Sequence, residues 1–259
     1  MNLGLELYFA KGQVVSANSI AFNQVKLKLR EFEYYFNERR CENLDLVGTY
    51  RPYHFNDDKF GLYIYVQMFG MYLLSILKNS SLSLRESHTL ALDSILTHGS
   101  FHYLIERFCT LRDNSQIGEE KLYSIYKKRI YCQVWGTQEC FEETLANAFV
   151  FESNPSWDRR HLDYIRSLYS RQREGYFQGC QLKSEDYQEL LQILENQLIG
   201  EKEDRNLKGN IKQDNQPSLY DFIHTNIPFR YLGLPVYLVN DCEKLEDFMN
   251  IVQILFPQI

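Results

Sequence analysis

The stretch from residue 84 to residue 112 constrains the fold of this chain more than any other. Apolar residues recur along it at helical spacing, and Ser83 followed by Glu86 is a capping-box pattern that predicts where the helix begins. His98 and His102 are four residues apart in this stretch, so both imidazoles project from the same face of the predicted helix. Two histidines in this arrangement can bind one metal ion, most often zinc.

A pair of glutamates further along the chain supplies a third candidate ligand. Glu142 and Glu143 lie in a second predicted helix, for which Thr137 is the expected N-cap. If Glu143 binds the metal, Asn147 is one turn further along the same face, where it can hydrogen-bond a ligating histidine. Glu142 has an alanine at that offset, which favours Glu143, with Glu142 as the alternative ligand. The pattern therefore predicts a three-ligand centre with an open fourth position, as in catalytic zinc sites.

These two motifs together resemble the gluzincin type of zincin metallopeptidase, and the resemblance covers roughly residues 84 to 150. That family carries His-Glu-x-x-His and a downstream Glu whose neighbour four residues on is Asp or Asn. The resemblance implies a zinc cofactor held by His98, His102 and Glu143, and a protein or peptide substrate hydrolysed by metal-activated water. It also implies that an extended substrate aligns along a sheet edge beside the metal.

Gly99 departs from the family pattern, because it occupies the position of the general-base glutamate. That glutamate takes the proton from the attacking water, which glycine cannot do. The resemblance therefore implies an inactive or impaired peptidase, through natural loss or deliberate replacement. Tyr103 and Tyr131 are candidates for an oxyanion donor, and the pattern does not choose between them.

The composition excludes several classes of function. A net charge of −6 argues against a nucleic-acid-binding surface. No run approaches 18 apolar residues, so we expect no transmembrane helix and no membrane partner. The N-terminus lacks a basic start and contains Glu6, which predicts the absence of a signal peptide and a cytoplasmic protein. The six cysteines have no paired spacing, which is typical of reduced thiols.

The pattern along the chain predicts a mainly helical α+β fold, with a small N-terminal sheet packed against the helices of the metal site as in zincins. We expect three regions: a zincin-like domain over residues 1–199, a polar linker over 200–217, and a strand-helix segment over 218–259 that packs on the domain. The predicted strands cover residues 3–9, 44–50, 61–65 and 234–239. The predicted helices cover residues 20–40, 66–78, 84–112, 119–133, the segment bearing Glu143, 157–176 capped by Ser156, 184–198 and 243–256.

Three functional hypotheses follow from these residues. The first is a zinc metallopeptidase whose activity is impaired at Gly99. The second is a pseudopeptidase that retains the fold as a protein- or peptide-binding module. The third is a helical scaffold without a metal, in which the two histidines are core residues.

Overall fold

A computed structural model of the protein describes residues 7–9, 47–55, 60–113, 120–172, 174–203, 217–229 and 233–239. The predicted helices over residues 20–40 and 243–256 lie outside this range, as do residues 204–216 of the predicted linker. Within it the fold is mainly helical with a small sheet, so the α+β prediction is confirmed at that level. None of the helices in the described ranges combines the length and apolar content needed to cross a bilayer.

The sheet joins strands from distant parts of the chain. Its strands are β1 (Leu7–Phe9), β2 (Gly48–Arg51), β3 (Gly61–Tyr65) and β4 (Val236–Val239), in the order β1-β4-β3-β2. β4 runs parallel to both of its neighbours, whereas β2 and β3 are antiparallel. The C-terminal strand therefore lies between two strands from the N-terminal part of the chain, and β2 lies at one end of the sheet order.

The helices follow β3 directly. They are α1 (Val66–Asn79), α2 (Leu84–Arg112), α3 (Leu122–Tyr126), α4 (Phe141–Glu152), α5 (Arg159–Tyr169), α6 (Ser184–Glu203) and α7 (Leu219–Asn226). After α3 the chain continues as a π-helical segment, Lys127–Tyr131, and then as a short α-helical turn, Cys132–Val134. Short 3₁₀ segments cover Phe177–Cys180 and Ile227–Phe229.

The helices predicted over residues 66–78 and 84–112 are confirmed as α1 and α2, and α2 has the predicted bounds. At its start the Ser83 hydroxyl accepts from the backbone N–H of Glu86, while the Glu86 carboxylate accepts from the backbone N–H of Ser83. This reciprocal pair satisfies two N–H groups that would otherwise lack partners, which is why the pattern located the start so well.

Two predicted caps were wrong. α4 begins at Phe141 with Cys140 as its N-cap, and the Thr137 hydroxyl instead donates to the carbonyl of Val134 in the preceding turn. α5 is capped by Asp158 rather than by Ser156, because the Asp158 carboxylate accepts from two backbone N–H groups of the first turn. A carboxylate at this position also interacts favourably with the helix dipole.

Two further boundaries differ from the prediction. α5 ends at Tyr169, and the chain then turns instead of continuing as a helix to residue 176. α6 continues to Glu203, so the first residues of the predicted linker are helical. The helix α7, which begins after Ser218, was not predicted at all.

Two apolar clusters form the core, and α2 contributes to both. One cluster joins the sheet to α1 and α5, and the other joins α2 to α3, α4, α6 and α7. α2 packs against α4 along the centre of the molecule and against β2 and β3 at the sheet. This placement buries the middle of α2, where both histidines lie, at 7 % exposure each.

Candidate metal centre

Three side-chain atoms from α2 and α4 converge on one point. Nε2 of His98 is 3.2 Å from Nε2 of His102, and these two nitrogens are 3.3 and 3.4 Å from Oε2 of Glu143. The three atoms thus form a nearly equilateral triangle inside the protein. The i, i+4 spacing on α2 supplies one side, and the packing of α4 against α2 supplies the other two.

The size of this triangle fits zinc. Zinc–ligand bonds of about 2.0–2.1 Å in a tetrahedron separate the ligand atoms by about 3.3–3.4 Å. Among the described residues, no hydrogen-bond donor is aligned with Oε2 of Glu143, although that oxygen is buried. A buried carboxylate oxygen that faces two imidazole nitrogens without a donor is costly unless a proton or a cation lies between them. His98, His102 and Glu143 therefore suit a metal ion, and the tetrahedral arrangement leaves one position open.

Each histidine is oriented from behind by a second side chain. Nδ1 of His98 lies 2.9 Å from Oδ1 of Asn147, and Nδ1 of His102 lies 2.6 Å from Oε1 of Glu142. Both partners accept a hydrogen bond, so in the neutral form of each ring the proton is on Nδ1 and the Nε2 lone pair faces the centre. Glu143 therefore faces the centre, whereas Glu142 lies on the far side of His102.

Asn147 is held in this role by its amide nitrogen. It donates to Oε1 of Gln172 and to the backbone carbonyl of Tyr176, both at 2.9 Å. Because the amide nitrogen has these two acceptors, the amide oxygen must point towards His98. The ring of Tyr176 is also nearly parallel to that of His98, with 6.4 Å between the ring centroids.

The π-helical segment supplies two more contacts that the sequence pattern did not reveal. Nζ of Lys127 donates to both carboxylate oxygens of Glu142, at 3.0 and 3.2 Å, and lies 3.1 Å above the ring of Tyr131. The Tyr131 hydroxyl donates to Oε1 of Glu143. Tyr131 thereby occupies one oxygen of the proposed ligand and leaves Oε2 directed at the two histidines. Single π-helical turns are frequent at functional sites.

The protonation of the centre reflects these charges. Burial lowers the pKa of His102, but the carboxylates of Glu143 and Glu142 outweigh it and raise that pKa to about 9. Burial likewise disfavours the charged form of Glu143, yet His102 and His98 hold its pKa well below the usual range. In the metal-free protein a proton on His102 therefore takes the place that a cation would occupy.

Leu62 fills the space beside Gly99. A Cβ atom at residue 99 would lie 2.6 Å from Cδ1 and 3.1 Å from Cδ2 of Leu62, which is too close for unshifted atoms. Both residues line the cavity at the metal centre. Gly48 plays a similar part on β2, where an added Cβ would lie 2.7 Å from Cγ2 of Ile95. The two glycines thus let α2 approach the sheet closely, and the space beside Gly99 is filled by an apolar side chain.

The candidate oxyanion donors are both engaged elsewhere. The Tyr131 hydroxyl donates to Glu143, as described above, and the Tyr103 hydroxyl donates to the backbone carbonyl of Gly233 at 3.2 Å. Both hydroxyls therefore already have an acceptor among the described residues.

Glu106 extends the polar face of α2 by one more turn. Its buried carboxylate accepts from the Tyr50 hydroxyl, from the backbone N–H groups of Tyr53 and His54, and lies 2.6 Å from Nδ1 of His54. These bonds tie the segment after β2 to α2. They also hold the Tyr50 ring nearly parallel to that of His102, with 6.4 Å between centroids.

A cavity of about 510 Å³ opens at the candidate metal centre. His98, His102 and Glu143 line it, together with Gly48, Thr49 and Tyr50 of β2. Phe55 and Trp135, each nearly half exposed, line it as well. The volume lies within the range of small-molecule and peptide side-chain pockets.

Comparisons of this chain with models of protein families, with curated protein sequences and with solved structures found no match.

Proposed function

We propose that the protein binds one zinc ion through His98, His102 and Glu143 in a gluzincin-like centre whose hydrolytic activity is impaired, so that peptide binding is the function that remains. One observation carries this proposal: three buried ligand atoms lie 3.2–3.4 Å apart, at the spacing of a zinc tetrahedron. The acceptors behind both histidines, Asn147 and Glu142, support it, because ligating histidines are usually held in this way.

Bound zinc would supply a Lewis acid that polarises a carbonyl group or a water molecule at the open position. The chain's own residues supply the rest. Tyr131 holds Glu143 with one oxygen directed at the centre, and Glu142 with Lys127 fixes the orientation of His102. What is missing is a group at residue 99 that accepts a proton, because glycine has no side chain and Leu62 occupies the adjoining space. This absence supports impaired hydrolysis and a binding role.

Metal analysis of the purified full-length chain tests the proposed centre. We expect about one zinc per chain after zinc is supplied and excess is removed, and loss of that zinc in His98→Ala/His102→Ala. The matched control is His161→Ala/His224→Ala, which also removes two histidines but leaves the centre intact and should retain zinc. A wild-type chain that stays free of metal, or zinc retained after both ligands are removed, would refute the centre and favour the metal-free scaffold.

A second experiment separates an impaired peptidase from a binding module. Leu62→Ala makes room at residue 99, so we expect Gly99→Glu/Leu62→Ala to accommodate the missing glutamate. If the remaining machinery is intact, this variant cleaves unstructured peptides, while Gly99→Gln/Leu62→Ala, which has the same shape without the carboxylate, stays inert. Continued inertness of a zinc-loaded Gly99→Glu/Leu62→Ala protein would support binding as the sole function.

A further inference from the structure

The charges around the cavity favour an anionic ligand. Of the described residues that line it, Lys127 and Lys128 are cations and Glu143 is the single anion. The two lysines already form ion pairs, Lys127 with Glu142 and Lys128 with Glu120. The net charge of the cavity therefore depends mainly on the metal centre. Two neutral imidazoles and one carboxylate would leave a zinc centre with a net charge of about +1.

The absence of charge at residue 99 supports this preference. Two carboxylates that share a site repel each other, so a carboxylate in the lining beside His98 would disfavour an anionic ligand. Here Gly99 and the side chain of Leu62 occupy that place, and neither carries charge. Among the described residues, the lining therefore contains no carboxylate other than Glu143 to repel an anionic ligand.

The walls of the cavity select a large apolar side chain. Aromatic and aliphatic groups dominate them, and Phe55 and Trp135 are nearly half exposed although both are large and apolar. Exposed apolar groups that border a pocket are typical of ligand sites. A side chain that covers these surfaces gains the free energy of apolar burial.

The backbone of β2 adds a preference for a peptide. Gly48, Thr49 and Tyr50 line the cavity, and within the described part of the sheet β2 pairs with a strand on one side only. A peptide that lies along such an edge can hydrogen-bond to its backbone, as in strand addition. A ligand without peptide groups would lack these bonds.

We propose that the cavity binds the C-terminal residue of a peptide or protein, with its free carboxylate beside the metal and a large apolar side chain against the aromatic walls. The protein is then a reader of apolar C-termini. This inference rests on the proposed function, because it requires the zinc centre.

Calorimetric titration of the zinc-loaded full-length chain tests it with four probes. They are N-acetyl-alanyl-phenylalanine, its C-terminal amide, N-acetyl-alanyl-glycine and 3-phenylpropionate. We expect the phenylalanine acid to bind at least tenfold more tightly than its amide, and roughly 10- to 100-fold more tightly than the glycine acid through apolar burial. We expect 3-phenylpropionate, which has the ring and the carboxylate but no peptide group, to bind more weakly than the phenylalanine acid.

Two variants isolate the charge at residue 99. Gly99→Glu/Leu62→Ala and Gly99→Gln/Leu62→Ala differ only in one carboxylate. For each variant we measure the affinity for the phenylalanine acid divided by the affinity for its amide, and we compare the two ratios. We expect the ratio to fall at least tenfold in the glutamate variant relative to the glutamine variant. If either variant does not fold, the acid and amide affinities of the wild-type chain decide the matter alone.

The outcomes separate this inference from the proposed function. A chain that holds zinc but binds acid and amide equally overturns the C-terminal reader and leaves the metal centre standing. Tighter binding of 3-phenylpropionate than of the peptide acid would assign the cavity to free organic acids instead. A chain that holds no zinc refutes the centre, and with it the inference.

Discussion

Replacing Gly99 by alanine tests whether the Leu62 side chain fills the space beside Gly99. The added Cβ would lie 2.6 Å from Cδ1 of Leu62, a contact that forces the leucine or the backbone to shift. Overpacking of this kind costs about 1–3 kcal/mol, against which alanine gains about 1 kcal/mol of helix propensity over glycine. We therefore expect Gly99→Ala to leave the free energy of unfolding unchanged or to lower it by up to about 2 kcal/mol.

A double-mutant cycle with Leu62→Ala turns this expectation into a sharp measurement. Leu62 is buried at 1 % exposure, so its truncation alone should cost about 2–5 kcal/mol. Once the leucine side chain is gone the clash is absent, and Gly99→Ala should then stabilise the protein by about 1 kcal/mol. The two substitutions should therefore couple by about 1–3 kcal/mol, measured by urea denaturation of all four proteins.

The matched control is Gly200→Ala in α6. No heavy atom lies within 4 Å of a Cβ built at Gly200, so alanine should stabilise the helix there by up to about 1 kcal/mol. If Gly99→Ala stabilises the wild-type chain as much as Gly200→Ala does, or if the cycle is additive, Leu62 does not fill the position. Either result would refute the inference that Leu62 packs tightly against Gly99 beside the candidate metal centre.

Three further predictions concern the ligands and their neighbours. Glu143→Gln should reduce zinc affinity by more than 100-fold, because it removes the charge of a ligand, whereas Glu142→Gln should reduce it by about 10–100-fold. Chelator competition measures both affinities, and the reverse order would make Glu142 the ligand. Lys127→Met and Tyr131→Phe each remove a hydrogen-bond donor to one of these carboxylates and should lower zinc affinity about tenfold. An unchanged zinc affinity in both variants would limit the π-helical segment, to which both residues belong, to a structural role. Because the pKa of His102 is raised to about 9 in the metal-free protein, the stability that protonated His102 contributes is complete below about pH 6.5 and is lost as the pH rises through 9. Zinc must displace the same proton, so the apparent zinc affinity should rise about tenfold per pH unit up to pH 9. A zinc affinity that does not change with pH would contradict this.

The sequence pattern predicted α2 because several local signals agree there. A capping box marks the start of α2, apolar residues recur at helical spacing, and His98 and His102 share a face through spacing alone. The face that carries Glu143 and Asn147 followed from the same periodicity, even though the expected cap of α4 at Thr137 was wrong. Periodicity within a helix determines which side chains share a face, and an error in the first residue does not change it.

Contacts between distant segments could not be predicted in this way. Leu62 lies in β3 and Gly99 lies in the middle of α2, with the whole of α1 between them in the chain. Lys127 contacts Glu142 from the π-helical segment that follows α3. Neither contact leaves a spacing rule in the sequence. The cap at Asp158 was missed for a different reason, since Ser156 and Asp158 are both acceptable caps and the sequence alone does not choose between them.

The buried polar face of α2 is hard to explain by stability alone. His98, His102 and Glu106 follow one another at four-residue spacing and are buried, where apolar residues would stabilise the helix contacts more simply. Each has instead acquired a partner from another element: Asn147 or Glu142 on α4, and His54 after β2. The Glu106 carboxylate has four such bonds, so it is fully satisfied and serves to fix the wall of the cavity. At the centre itself, however, Oε2 of Glu143 is buried opposite the two imidazole nitrogens and has no aligned hydrogen-bond donor among the described residues. The polar groups along this face of α2 thus have hydrogen-bond partners, and the unpaired carboxylate oxygen lies at the open cavity. A site for a cation and its ligand requires this arrangement.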